Sequence, residues 1–278
     1  MKTVKAIQDL FQLRKDFPSP VGLVPTMGYL HQGHLSLVER ARNECASVIV
    51  SIFVNPTQFG PQEDLGSYPR DISRDLNLLE EIGVDLIWIP KKEEIYPSEF
   101  QTWVTVEEVT QPLEGAMRPG HFRGVTTIVA KLFNAIQPDK SYFGQKDAQQ
   151  AVVIRRMVKD LNYPIEIVIC PTIREPDGLA MSSRNVYLSP QERKSAAVLF
   201  KALSAAENAY MDGVQDADVL REIMSDITSS EPSARIDYIS CADPDNLNEL
   251  SGPVKRALLS MAVNFGDTRL IDNILIGD

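Results

Sequence analysis

The chain of 278 residues carries 44% hydrophobic and 24% charged side chains, the balance of a globular protein with a buried core and not of a disordered or fibrous one. Its 38 acidic and 28 basic groups give a formal charge of −10, which disfavours nucleic acid and anionic lipid as partners. No apolar stretch approaches the roughly 18 residues of a spanning helix, and the opening MKTVKAIQDLFQLRKD lacks the apolar centre of a secretory signal, so a cytoplasmic protein is expected. Cys45, Cys170 and Cys241 lie far apart; they suggest neither a disulfide framework nor a zinc cluster, and each is expected to be a small core residue.

In chain order, VGLV at 21–24 predicts a short buried strand, and Leu35, Val38, Arg42 and Cys45 recur at helical spacing after it. SVIVSIFV at 47–54 is apolar almost throughout, as a strand covered on both faces should be. Ser73 is a candidate cap for a helix through Leu76, Leu79 and Ile82, with Gly83 as its stop before the strand VDLIWIP. The alternation resumes with a helix over 124–136, a strand at 141–143, a helix over 147–161 and the strand IEIVIC at 165–170. Strands joined by helical crossovers predict an α/β fold, a doubly wound, Rossmann-like parallel sheet over residues 1–175. The polar stretch REPDGLAMSSRN then marks a boundary. Beyond it, Ser189-Pro190 should start a long helix through Ala196, Leu199, Leu203 and Ala206. A second helix over 216–227 and the strands ARIDYISC, KRALLSMAVNFG and TRLIDNILI complete a smaller α+β domain over 176–278. No internal repeat or heptad run is visible.

Three segments carry chemistry. PTMGYLHQGH, between the first strand and its helix, combines His31 and His34 with Gly28 and Gly33, whose small backbone would let main-chain amides and a helix N-terminus approach an anion. The same histidines read equally well as surface residues or as a metal pair, although a third ligand and the metalloprotease spacing are missing. From Arg118 to Asp160, eight basic side chains meet three acidic ones, which suits a polyanionic small molecule in an otherwise acidic protein. Arg155, Arg156 and Lys159 read as a solvated helix face, whereas Lys146 occupies a strand-to-helix junction from which a lysine reaches a ligand. The third segment, MSSRN at 181–185, sets two hydroxyls beside a guanidinium in a loop able to close over a nucleotide, though such a triplet alone is usually an exposed turn.

Taken together, these segments resemble the pantoate–beta-alanine ligase family within the HIGH-type nucleotidyltransferase superfamily, over nearly the whole chain. PTMGYLHQGH resembles the HIGH segment, and MSSRN the KMSKS loop. SIFVNPTQFGPQEDLGSYPRD, MRPGHFRGV and FGQKDAQQ resemble this family in particular. Gln145 stands where glutamate is expected in many relatives, and Thr57 where methionine is frequent. The resemblance implies that ATP and (R)-pantoate form pantoyl adenylate and pyrophosphate, after which beta-alanine attacks the acyl carbon to give pantothenate and AMP. It implies an ATP site of Met27, Gly28, Tyr29, Leu30, His31, Gln32, Gly33 and His34. Gly144, Gln145, Lys146 and Asp147 would hold the nucleotide, with Ile173 through its backbone and Met181, Ser182, Ser183 and Arg184 over the phosphates. His34 is implied as proton donor or phosphate stabiliser, with His31, Lys146, Ser182 and Arg184 as the other catalytic groups. Gln58 and Gln150 would bind pantoate, since a primary amide answers both donors and acceptors; Asn55, Arg118 and His121 are further contacts.

Magnesium should accompany ATP without an assignable protein ligand, Asp75 being a weak candidate. The resemblance also implies a homodimer and a second domain that acts as a lid over the ATP site. Two alternatives share the fold: an adenylyltransferase with a phosphate acceptor, and a non-catalytic nucleotide sensor. The amides at Gln58 and Gln150 speak against the first, and an intact set of site groups against the second.

Overall fold

The computed structural model describes residues 1–61 and 63–277. Gln62, within SIFVNPTQFGPQEDLGSYPRD, and Asp278, the end of the second expected domain, lie outside the described residues. The chain runs β1 (Lys2–Val4), α1 (Ile7–Arg14), β2 (Val21–Thr26), α2 (Gln32–Glu44), β3 (Ser47–Ile52), α3 (Ile72–Ile82) and β4 (Leu86–Trp88). Two short helices follow, α4 (Lys92–Ile95) and α5 (Glu114–Met117), then α6 (His121–Ile136), β5 (Lys140–Gly144), α7 (Ala148–Asp160) and β6 (Glu166–Cys170). These strands form one sheet, ordered β1-β4-β3-β2-β5-β6, with every pair parallel. The order turns back at β2, which has β3 on one side and β5 on the other, so the loops leaving the carboxyl ends of β2 and β5 open a crevice between them.

Helices cover both faces of this sheet, which is why every residue of β3 is buried. Leu10, Ile128, Phe133 and Ile154 fill one side, and Leu37, Val38 and Leu79 the other. The second unit comprises α8 (Pro190–Ser195), α9 (Val198–Met211), α10 (Ala217–Ser229) and the antiparallel strands β7 (Ala234–Ala242), β8 (Ala257–Phe265) and β9 (Thr268–Ile276), ordered β7-β8-β9. Its own core joins Leu199 and Leu203 of α9 and Leu220 and Met224 of α10 to Met261 and Phe265 of β8. The fold is thus the expected α/β class with a smaller α+β unit. All three cysteines are buried and free.

Several boundaries differ from those expected. Asp71, not Ser73, caps α3: its carboxylate accepts from the Arg74 N–H at 3.0 Å, and a charged acceptor at a helix N-terminus outcompetes a hydroxyl two residues further in. The long helix after Ser189-Pro190 is two, α8 and α9, separated at Ala196 and Ala197. Apolar spacing from Ala196 to Ala206 runs straight through the break, so periodicity conceals it. Strand β1 and helix α1 have no counterpart among the expected elements, because a three-residue edge strand with one buried side chain leaves little pattern. Helix α6 starts at His121, three residues before Gly124. A Cβ on Gly124 would stand 2.4 Å from the Thr57 carbonyl oxygen, so only glycine lets α6 press this closely against the turn after β3.

Candidate active site

Past the carboxyl end of β2 the chain makes a tight turn, with Gly28 at φ +83° and Tyr29 at φ +51°. Its amides are occupied from within. Gly28 N donates to Thr26 Oγ1 at 3.2 Å, and Tyr29 N and Leu30 N donate to the two carboxylate oxygens of Asp75 at 2.7 and 2.8 Å. His31 N donates to His34 Nδ1 at 3.4 Å, and Gly33 N to His31 Nδ1 at 3.1 Å, closing a capping box at the head of α2. The amides of Gly28 and Gly33, expected to approach an anion, thus have the Thr26 hydroxyl and the His31 imidazole as partners within the turn. Asp75, fully buried in α3 and named above as a weak magnesium candidate, directs both of its oxygens to this turn.

What the turn offers a ligand is side chains. Both imidazoles accept at Nδ1, so each carries its proton on Nε2. Their rings lie 4.0 Å apart, on the wall of a cleft of about 250 Å³. Desolvation, the neighbouring imidazole and the Lys146 charge lower His31 to about 3; desolvation and Lys146 lower His34 to about 4. At neutral pH both are uncharged donors. Burial beside a lysine disfavours a second positive charge, so His34 offers its Nε2–H as a neutral donor.

Opposite them, β5 ends at Gly144 and the 3-10 turn Gln145–Asp147 carries Lys146 into the cleft before α7 begins. Gln145 does not follow: its amide donates to Asn273 Oδ1 of β9 at 3.0 Å. Gln150, on the first turns of α7, lines the same cleft with Ile173, Met181, Ser182, Ser183 and Arg184. Gly28, Tyr29, Leu30 and Gln32 stand behind the wall, for Leu30 is core and Gln32 points to solvent. Met27, His31, Gly33 and His34 are the members of this segment that line the cleft.

The turn after β3 supplies the cleft's other end. Asn55 is 1% exposed and its amide is spent internally: Nδ2 donates to Gln58 Oε1 at 3.0 Å and to the Gly124 carbonyl at 3.1 Å, while Oδ1 accepts from the hydroxyls of Thr57 and Tyr96 at 2.9 Å each. It orients Gln58, whose Nε2 donates to Met27 Sδ at 3.3 Å. His121 Nδ1 donates to the Gln58 carbonyl at 2.8 Å, and desolvation, then the Arg118 charge, lower this histidine to about 4.

The positive stretch is less open than its charges suggest. Arg118 pairs with Glu63 at 2.5 Å, Lys140 with Glu44 at 3.4 Å and with Glu166 at 3.2 Å, and Arg156 with Asp160 at 3.7 Å. Arg123 lies over Trp103 and Lys131 over Phe100. Lys146 remains as the ammonium of that stretch facing the cleft beside the histidines, with Asp147 3.9 Å away. Arg184 forms a two-pronged pair with Asp64 at 2.8 and 3.0 Å, and Ser183 Oγ donates to the Tyr29 carbonyl at 3.3 Å, so the MSSRN loop already lies across the cleft.

Sequence reasoning missed the contribution of β9. Asp272 and Asn273 line the cleft from the second sheet, 2% and 4% exposed. Two adjacent polar residues set between the apolar pairs of TRLIDNILI are the signal that could have found them.

A doubly wound sheet whose switch point holds neutral imidazoles, a lysine, a hydroxyl-rich loop and two primary amides defines an ATP-binding α/β enzyme. Residues 1–275 match the family described as Pantoate-beta-alanine ligase. A pantothenate synthetase of Chloroflexus aggregans is 60% identical over 99% of this chain and all of that one, and one of Herpetosiphon aurantiacus is 57% identical at the same coverage. The crystal structure of pantothenate synthetase from Thermus thermophilus superposes with a TM-score of 0.95 at 50% identity, covering 99% of each chain. That of the Francisella tularensis pantoate-beta-alanine ligase, complexed with Beta-gamma ATP and Beta-alanine, gives 0.82 at 34% identity over 99% of this chain and 97% of that one. The chain belongs to the pantoate–beta-alanine ligase family, and its activity is the AMP-forming ligation of pantoate to beta-alanine.

Proposed function

We propose that this cleft runs the ligation in two half-reactions. A carboxylate oxygen of (R)-pantoate attacks the α-phosphorus of ATP, pyrophosphate leaves, and pantoyl adenylate forms. The amine of beta-alanine then attacks the acyl carbon and AMP leaves. The observation that carries this reading is one continuous cleft joining His31, His34 and Lys146 to Gln58 and Gln150. Pantoate is already ionised at neutral pH, so the first step needs no general base, only alignment and donors for the charge that shifts onto pyrophosphate. The Nε2–H groups of His31 and His34, the Lys146 ammonium, Ser182 and Arg184 would supply them; Gln58 and Gln150 would hold the acid.

The relative's complex with an ATP analogue and beta-alanine supports the same pair of ligands here. Magnesium would arrive with ATP. Among the described residues no cluster of three or more His, Cys, Asp or Glu could hold a metal, and no protein ligand is assigned to it. Residues 1–175 would bind nucleotide and pantoate, with residues 176–278 as the lid; the bond from Ser183 to Tyr29 supports that division. A homodimer and a cytoplasmic setting rest on the family resemblance, and the former is checked by sedimentation.

Labelled pyrophosphate exchange tests the mechanism. Exchange into ATP should require pantoate and proceed without beta-alanine. Exchange that needs beta-alanine, or accumulation of ADP and phosphate in place of AMP and pyrophosphate, would overturn the adenylate.

A further inference from the structure

We propose that Asn273, on a strand of the second sheet, is a positioning residue that sets Lys146 for adenylation through the main chain; this rests on the reading of Lys146 given above. Asn273 is nearly buried at 4% exposure. Its Nδ2 donates to the carbonyl oxygens of Gln145 at 3.0 Å and of Lys146 at 2.9 Å, and its Oδ1 accepts from Gln145 Nε2 at 3.0 Å. Two main-chain carbonyls fix which end of the amide faces the turn, because only the nitrogen can donate to them. Three bonds from one side chain thereby fasten the turn between β5 and α7, the segment whose single lysine reaches the cleft.

Both hydrogens of the Asn273 amide are committed to protein carbonyls, so its action on the reaction passes through the turn it holds. The clamp is itself anchored. Asp272 takes Arg174 in a two-pronged pair at 2.6 and 2.9 Å, and its Oδ1 accepts from Asn273 N at 2.8 Å. Arg174 directly follows Ile173, and its guanidinium lies over Phe200 of α9, 4.3 Å from the ring centre. Asp272 and Asn273 thus tie the linker between the two units and the lysine turn to one point of β9. A lysine on a flexible four-carbon stem gains reach from that stem but not direction; direction must come from where its Cα is held.

The test is a double-mutant cycle in the full-length chain, read by pantoate-dependent pyrophosphate exchange at saturating ATP and pantoate. Asn273→Ala should slow exchange by about 10- to 100-fold, the range expected when a reacting group is displaced by an ångström or less. In a Lys146→Ala background the same substitution should cost less than about twofold, because the group it positions is gone. A purely structural role would cost the same factor in both backgrounds, and that result overturns the proposal, as does an Asn273→Ala rate within about twofold of the parent. A Lys146→Ala enzyme of near-normal rate removes the reading of Lys146 itself and the proposal with it. Should the alanine variant fail to fold, Asn273→Ser, which keeps one hydroxyl donor for a carbonyl, runs the same cycle. It should fall between parent and alanine, and equal losses in the two backgrounds again decide against the clamp.

Discussion

The carboxylate of Asp75 lies 2.7 Å from the main-chain nitrogen of Tyr29, a residue held at φ +51°. With its second oxygen on Leu30 N, this buried group pins the turn that aims His31 and His34. A carboxylate without solvent is costly, and desolvation raises its pKa against the pull of the two backbone donors. Helix α3 thus reaches the imidazoles indirectly, by satisfying the two amides that would otherwise compete for ligand or water.

Asp75→Asn should therefore lower both stability and turnover. An amide cannot accept at both ends, so one N–H would be left facing an NH2 group, at about 1–3 kcal/mol for the unsatisfied donor. Denaturant melts would show that loss. Turnover should fall by more than the unfolded fraction accounts for; a folded variant of normal turnover would show that the turn holds its shape without the carboxylate.

The pH dependence follows from three depressed imidazoles. His34 and His121 fall to about 4 and His31 to about 3, against roughly 6.5 in an unfolded chain. The unfolded state binds protons first, so the contribution of these groups is complete above about pH 6.5 and declines as pH falls toward 4. It declines further to about 3 for His31. The stability difference between parent and His121→Asn should accordingly shrink between pH 7 and pH 4. NMR titration of the imidazoles is the direct check, and a midpoint near 6.5 for His34 would contradict the neutral donor assigned to it.

If Arg184 serves the phosphates as proposed, Asp64, its partner at 2.8 Å, would compete with the nucleotide for it. Their pair is partly exposed, at 29% and 22% of the side chains, so its worth is about 1 kcal/mol or less. Asp64→Asn should then tighten ATP binding by about two- to fivefold, measured by calorimetric titration. Weaker binding would mean that Asp64 orients Arg184 toward the phosphates instead of holding it back.

Which parts of this were legible follows from what each residue signals. The parallel strands announced themselves because burial on both faces makes SVIVSI apolar at nearly every position. The loops with His31, Lys146 and Arg184 stood out as polar punctuation between periodic segments, and all three line one cleft. Asp75 was legible only as a weak magnesium candidate, because a carboxylate inside a helical pattern looks solvated until the fold brings Tyr29 to it. The neutralisation of the basic stretch was not legible, since Glu63 and Arg118 meet only in three dimensions. Burial alone would raise Glu63, but the Arg118 guanidinium outweighs it and lowers that carboxyl.

Gln58 and Asn55 separate contact from support at the end of the cleft proposed to hold pantoate. Gln58 lines the cleft, and its carbonyl oxygen accepts from Asn55 while its nitrogen faces Met27 Sδ, a weak acceptor. That nitrogen is therefore the group a pantoate oxygen can capture with little loss, and Gln58→Ala should raise the KM for pantoate by about 10-fold or more with ATP binding nearly unchanged. Asn55 has no such freedom: three protein groups occupy its oxygen and two carbonyls its nitrogen. Asn55→Ala should act on pantoate through Gln58 and also lower the melting temperature, because the hydroxyls of Thr57 and Tyr96 and the Gly124 carbonyl lose a partner together. The pair should then be strongly non-additive toward pantoate, the double variant binding it little worse than Gln58→Ala alone. Isothermal titration with pantoate and with an ATP analogue reads both quantities. An ATP affinity that collapses in Gln58→Ala while pantoate binds as before would move this amide to the nucleotide end of the cleft.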